Sequence, residues 1–395
     1  MQGVLEGIKV LDFSRIFAGP DAAQTLGDLG AEVIKIEDPK GGDGCRPLGV
    51  TDPNLASYGA AFHSFNRNKR SLTLDLQTPE GQKIAGDLIA EADVIINNFR
   101  PGTMDRFGLG YEAMSKRNPK LIYCDFFAFG DKGELRNIGA NDLQLQAHSG
   151  LMSITGELNG PPVRAGSAIV DLHAGQALVT AVLAALLHRG KTGKGQRVST
   201  SLLQSAAHLM GYLYQEYWMT GYAHKAMGTA NHLNVPNQAF PTKDGYVIII
   251  AANDEMWKRC CTALEATDLI GGLFVDRISR LKNAAALVTR LSEVTRGFTS
   301  QEVFERLGKV KVNVAIVQDI PAASEDPQLE AIGAVHHVEV EGVPRRYIAA
   351  PFTLYDTPTK VHRVPPRLGA QSDEVLAELG YTPEQIAELR GKGII

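Results

Sequence analysis

The first 130 residues alternate short apolar runs with segments of helical character, and this alternation most constrains the fold. It is the pattern of βαβ units, in which strands lie parallel and helices cross between them. Residues 8–13 (IKVLDF) and 31–36 (AEVIKI) read as strands, joined by a loop over 14–20 and a helix over 21–29. After a Gly/Pro-rich excursion over 39–53, strands are predicted at 71–76, 93–97 and 121–127. Between the first two of these, Thr78-Pro79-Glu80 opens a helix, with a hydroxyl cap, a proline at the first position and an acid in the first turn.

Residues 131–170 are punctuated by glycine and proline and read as loops, followed by a long apolar helix over 174–188. Residues 191–196 (KTGKGQ) read as an exposed turn before a further helix, and 214–240 lack a clear period, as in a crossing linker. A second unit begins near Asp244-Gly245, with strands at 246–251 and 312–317 around helices. The last segment, 335–395, contains a β-like stretch at Val338 and closes with Thr382-Pro383-Glu384-Gln385, a capping box.

At about 100–200 residues per domain, a chain of 395 residues makes two or three domains. A net charge of −4 gives no basic excess for a nucleic-acid backbone, and 44% hydrophobic residues fit a chain folded throughout. Cys45, Cys124, Cys260 and Cys261 have neither zinc nor disulfide spacing. The N-terminus lacks a secretory pattern, and the apolar stretch 177–187 is shorter than the roughly 20 residues that cross a bilayer. The expectation is a soluble cytoplasmic protein with no membrane and no nucleic-acid partner.

An acid follows the second strand (Glu37, Asp38), as in dinucleotide folds, yet the loop SRIFAGP has one glycine where a pyrophosphate site needs GxGxxG. Walker A, HExxH, GxSxG and EF-hand patterns are absent as well. Arg15, Lys69, Arg70, Arg100 and Arg106 fall near the edges of the inferred sheet. They read either as contacts to a phosphate-rich ligand or, more commonly for such residues, as solvated charge. Asp171, just ahead of the long helix, reads as an N-cap or as a reactive carboxylate held among backbone donors. His63, His148 and His173 read as packing or solvent-facing histidines.

The segments LEGIKVLDF (5–13), AGP (18–20), LGAEVIKIE (29–37), NKRS (68–71), Leu74-Asp75, Asn98-Phe99, Pro101-Gly102 and KTGKGQ (191–196) resemble the class III CoA-transferase family. That family includes formyl-CoA transferases, carnitine CoA-transferases and α-methylacyl-CoA racemases. The resemblance implies an α/β fold with a Rossmann-like large CoA-binding domain (1–200), a linker (201–224), a small α/β domain (225–330) and a return linker with the C-terminal part of the large domain (331–395). It further implies a homodimer of interlocked rings. By motif matching, Asp171 falls on the family's nucleophilic aspartate, and CoA would lie along Phe17, Ala18, Leu74, Asp75, Gln77, Asn98, Phe99, Arg100 and Arg106. Coenzyme A and acyl-CoA are then substrates rather than tightly held cofactors, no metal is implied, and the acceptor is a small organic (di)carboxylic acid.

Within this resemblance, amides of the helix after Asp171 are expected to stabilise oxyanions, and Arg46, His63 and His148 are candidates for the acceptor's second carboxylate. Phe17 stands where formyl-CoA transferases carry glutamine, and no four-glycine loop occurs over 230–250, which argues against formyl-CoA and oxalate. The racemases place a histidine where this chain has Asn141, and an amide cannot take a proton from a carbon acid. A racemase and an inactive CoA-binding relative are the alternatives; the retained Asp171 argues against the latter.

Overall fold

The computed structural model describes residues 3–49, 59–340 and 342–395; residues 50–53, the end of the Gly/Pro-rich excursion, lie outside them. Among the described residues, the apolar runs build a six-stranded parallel sheet from β1 (Lys9–Asp12), β2 (Glu32–Glu37), β3 (Lys69–Thr73), β4 (Val94–Asn97), β5 (Ile122–Phe127) and β6 (Gln196–Ser201). The spatial order is β3-β2-β1-β4-β5-β6, so the chain reverses direction across the sheet between β1 and β4. Leu11 pairs in register with Ile34 on one side and Ile95 on the other, and all three are fully buried. Continuous apolar strands of this kind mark a sheet covered on both faces.

The exposed turn and the helix expected after it are both present, but strand β6, which was not expected, lies between them. Its sequence, QRVSTS, has no apolar run, and its pairing with β5 along Ile122–Phe127 makes it a strand at the edge of the sheet. The strand expected at 71–76 begins earlier, at Lys69. Lys69 is completely buried and Arg70 is 7% exposed, so neither is the solvated charge expected of it, and neither lies in a ligand-facing loop. Arg70 instead bridges Glu374 and Glu378 of the returning C-terminal segment.

Helices α1 (Ala18–Asp28), α2 (Ala60–Phe65), α3 (Pro79–Glu91), α4 (Thr103–Arg106), α5 (Tyr111–Arg117), α6 (Asp142–His148) and α7 (Ile169–Thr192) accompany the strands. Thr78 accepts from the Gly81 amide at the start of α3, and Thr382 and Gln385 form both bonds of the capping box at the last helix. Helix α7 is longer than the apolar stretch read from sequence. At 24 residues, or about 36 Å, it is long and apolar enough to cross a membrane by length and composition alone. Here Leu178, Val179, Val182 and Ala185 are buried against Val10, Ala22, Leu26 and the strands behind them. Where a linker was expected over 201–224, the chain is helical again, as α8 (Leu202–Leu209) and α9 (Gly211–Thr220).

The chain divides into two units. The larger takes residues 1–151, 165–219 and 328–395; the smaller takes 152–164 and 220–327. In the larger unit the C-terminal segment runs along the β3 edge: the Gln371 amide donates to Ser71 O at 3.0 Å and the Asp75 amide to Ile394 O at 2.8 Å. The smaller unit is an antiparallel sheet of β7 (Asn237–Pro241), β8 (Tyr246–Ile250) and β9 (Asn313–Ile316), packed by helices around buried Trp257, Leu287 and Leu291.

Helices α1 and α7 approach closely because Gly175 has no side chain. A Cβ there would stand 2.8 Å from Ala18 O and 2.7 Å from an Asp21 carboxylate oxygen. Gly175→Ala therefore destabilises the protein by about 1–3 kcal/mol in urea unfolding, through overpacking. An open helical site would instead gain about 0.5–1 kcal/mol from the same change, so the sign decides.

Candidate active site

Open parallel sheets bind ligands outside the carboxyl ends of the strands where the strand order reverses. Here that point lies between the loops after β1 and β4. Asn98 joins them: its side chain accepts from the Arg15 amide at 3.0 Å and donates to Arg15 O at 2.8 Å. Next to Arg15, Ile16 adopts φ +75°, a conformation that a β-branched residue occupies only under strain. Its amide is held by Asp43 Oδ1 at 2.9 Å. Phe17 then packs against Phe65 at an interplanar angle of 44° with ring centroids 5.0 Å apart, and Ala18 begins α1.

The sequence-matched CoA residues separate into groups. Leu74, Asp75, Gln77 and Phe99 line one small depression of about 50 Å³, together with Arg15. The Asp75 carboxylate accepts from the Gln77 amide at 2.9 Å, so it shapes this turn. Arg100 lies in a neighbouring depression of about 240 Å³ with Asn97, Asp125 and Arg197. Arg106 is exposed at the end of α4, donating to Thr103 Oγ1 at 3.3 Å, and lines neither depression. Of the acceptor candidates, Arg46 is buried and bound to Glu37 through two nitrogens, which removes it as a ligand group. His63 meets the Tyr347 hydroxyl at 3.4 Å, and His148 packs edge-on to Phe129.

Asp171 is not the N-cap of α7. The helix starts at Ile169 after Ala168, which makes Asp171 its third residue, and the capping is done by Asp142. Asp142 Oδ2 accepts from the Val170 amide at 2.8 Å and the Asp171 amide at 3.2 Å, while Gln146 holds Oδ1. The Ile169 and Leu172 amides donate to Ser167 O and Ala168 O. The first-turn amides of α7 are thus all occupied, and the expectation that they stabilise oxyanions fails. By contrast, no bond within the described residues uses the amides of Ala18 and Gly19.

The same corner holds both elements: Ala18 shares a buried apolar cluster with Val170, Ala174, Phe126 and Leu145. Asp171 is 8% exposed, and no hydrogen bond reaches its carboxylate among the described residues. Burial, and then the negative charge of Asp142, push its pKa from 3.8 up to about 7. Sequence reasoning singled out Asp171 as a cap or a reactive carboxylate, and missed that Asp142 does the capping. The available signal was the local pattern Asn141-Asp142-x-Gln144, in which Asn141 and Gln144 form the capping box of α6 and so fix where Asp142 points.

Residues 5–372 match CoA-transferase family III. The chain belongs to that family. This CoA-transferase is 34% identical to the succinate–glutarate CoA-transferase of Agrobacterium fabrum, over 95% of both chains. It is 35% identical to the human succinyl-CoA:glutarate CoA-transferase, over 99% of this chain and 90% of that protein. A solved structure of a CaiB/BaiF family protein from Brucella suis is similar with a TM-score of 0.88 at 34% identity, covering 96% of this chain and all of the other. The parallel six-stranded sheet is thus the family fold.

Because Asp171 binds its proton more tightly folded than unfolded, it opposes stability as pH rises from about 4 to about 7 and adds no further change above that. Asp171→Asn removes this titration. In urea unfolding the variant's advantage over wild type grows across that window, to about 4 kcal/mol, then levels off. A pH-independent difference contradicts the assignment. Asp142→Asn keeps an oxygen for the Val170 amide but loses the charge, so the titration of Asp171, followed as the acid limb of the kcat/KM profile, moves to lower pH than in wild type.

Proposed function

We propose that this CoA-transferase moves CoA from succinyl-CoA, or a similar dicarboxylic thioester, to a second small dicarboxylic acid through covalent intermediates on Asp171. The observation that carries this reading is the buried carboxylate of Asp171 with no hydrogen bond to it. A carboxylate that no protein donor holds is a better nucleophile than one so bound, and its largely buried position limits hydrolysis of the anhydride it forms.

An Asp171 oxygen attacks the thioester carbonyl carbon, the C–S bond breaks, and an acyl-aspartyl anhydride and CoA thiolate result. The thiolate attacks Cγ of Asp171, releasing the donor acid and leaving an aspartyl-CoA thioester. The acceptor carboxylate attacks that same Cγ and expels thiolate as a second anhydride forms. Thiolate then takes the acceptor acyl group, and the Asp171 carboxylate returns. No step transfers a proton, which suits a site where Asn141 stands in place of a racemase histidine and caps α6. The unoccupied Ala18 and Gly19 amides are the donors we assign to the oxyanions.

In this reading CoA lies along the loops after β1, β3 and β4. Two copies interlock, with the exposed Tyr212, Trp218 and Met219 of α9 covered by the second copy. The dicarboxylic substrates are supported by relatives named for succinate, glutarate and mesaconate.

Succinyl-CoA offered with a panel of dicarboxylate acceptors tests the reaction. Wild type exchanges CoA and yields a hydroxylamine-trapped adduct on Asp171. Asp171→Ala loses at least about a thousandfold in kcat and traps nothing. Turnover that survives without the carboxylate overturns the mechanism, and solvent exchange of the α-proton without an adduct favours the racemase.

A further inference from the structure

We infer that Arg15 is an anion subsite for the nucleotide phosphates of CoA, in the depression between the β1, β3 and β4 loops. The inference rests on the CoA-transferase reading above and extends it to a residue outside the motif-matched set of CoA contacts.

The backbone of Arg15 is fixed from both sides. Asn98 engages both its N–H and its C=O, and the following residue is the strained Ile16 anchored by Asp43. A turn held in a costly conformation directs its neighbours along a defined path. The guanidinium lies over the Phe99 ring, 5.4 Å from its centroid, and no carboxylate pairs with it among the described residues. Among the described residues it is also the only cation lining that depression.

The carboxylates around it are engaged. Glu37 is bound by Arg46, while Asp38 and Asp75 each accept from an amide of their own turn, at 2.8 and 2.9 Å. Gln77 aside, the rest of the wall is apolar, from Ile36, Leu74, Leu76, Phe99 and Phe107. Apolar and aromatic surface beside one unpaired guanidinium is the chemistry that receives a base and an attached phosphate. Arg106, one of the motif-matched contacts, lies outside this depression.

The test compares wild type with Arg15→Ala and Arg15→Lys on succinyl-CoA, succinyl-dephospho-CoA and succinyl-pantetheine. Losing a charge-assisted phosphate contact raises the KM for succinyl-CoA about 10- to 100-fold in Arg15→Ala, with kcat changed much less and Arg15→Lys partly restoring KM. The penalty disappears with succinyl-pantetheine, which has no nucleotide. If it disappears already with the dephospho substrate, Arg15 meets the 3′-phosphate; if it persists there, it meets the diphosphate. An unchanged KM for succinyl-CoA, or an equal penalty on the pantetheine thioester, overturns the assignment while wild-type activity still supports the transferase reading. A wild type with no preference for the nucleotide-bearing thioester removes both.

Discussion

A buried set of six charges beneath the β1 loop is the constraint on which the site depends. Lys69 Nζ meets Asp12 Oδ2 at 2.9 Å, Lys35 Nζ meets Asp43 Oδ2 at 2.8 Å, and Arg46 is bound to Glu37. Three acids and three bases balance in a region closed to water. Burial alone would raise the pKa of Asp12, but Lys35 and Lys69 outweigh it and hold the group at about 2. Buried ion pairs are weak evidence for net stability, because desolvation offsets most of the attraction; their effect here is positional. Lys35 also donates to Ser14 O and Lys69 to Pro20 O, both at 2.9 Å, so the loop carrying Arg15, Ile16 and Phe17 is gripped at each end by a lysine from a strand. Gly42 belongs to the same arrangement: at φ +71° its missing Cβ leaves room for Glu37 and Arg46 to meet.

That rigidity bears on Asp171 through α1. With Pro20 O held by Lys69, the first turn of α1 is fixed, and Gly175 lets α7 settle against it. An acid in the first turn of a helix is normally stabilised by nearby amides and the helix dipole. In α7 those amides have already gone to Asp142, so Asp171 experiences burial and a like charge in their place. One carboxylate performs the structural task, which leaves the other without a hydrogen bond among the described residues.

Local rules made part of this legible in the sequence. The apolar runs of β1, β2, β4 and β5, the cap at Thr78 and the box at Thr382 all depend on neighbours within a few residues. What escaped depends on residues far apart in the chain. Strand β6 is polar and is a strand because β5 pairs with it. Lys69 is buried because Asp12, 57 residues earlier, is there to meet it. A lysine enclosed by Val33, Ile34 and Ile36 in β2 was the visible hint that ion pairs run beneath this sheet. Asp171 stood out by its motif, but that its carboxylate receives no amide follows from Asp142, on a different helix.

The cations of the sheet edge show why net charge says little about ligands. Lys35, Lys69, Arg46, Arg67 and Arg70 are buried and matched by acids, so they contribute almost no field outside. Arg15, Arg100 and Arg106 sit at the rim without an ion pair among the described residues. A polyanion approaching the β1–β4 crevice therefore meets unpaired guanidinium groups on a chain whose total charge is −4. Sequence lists all eight side chains alike; burial separates those that build the loop from those left unpaired at the rim.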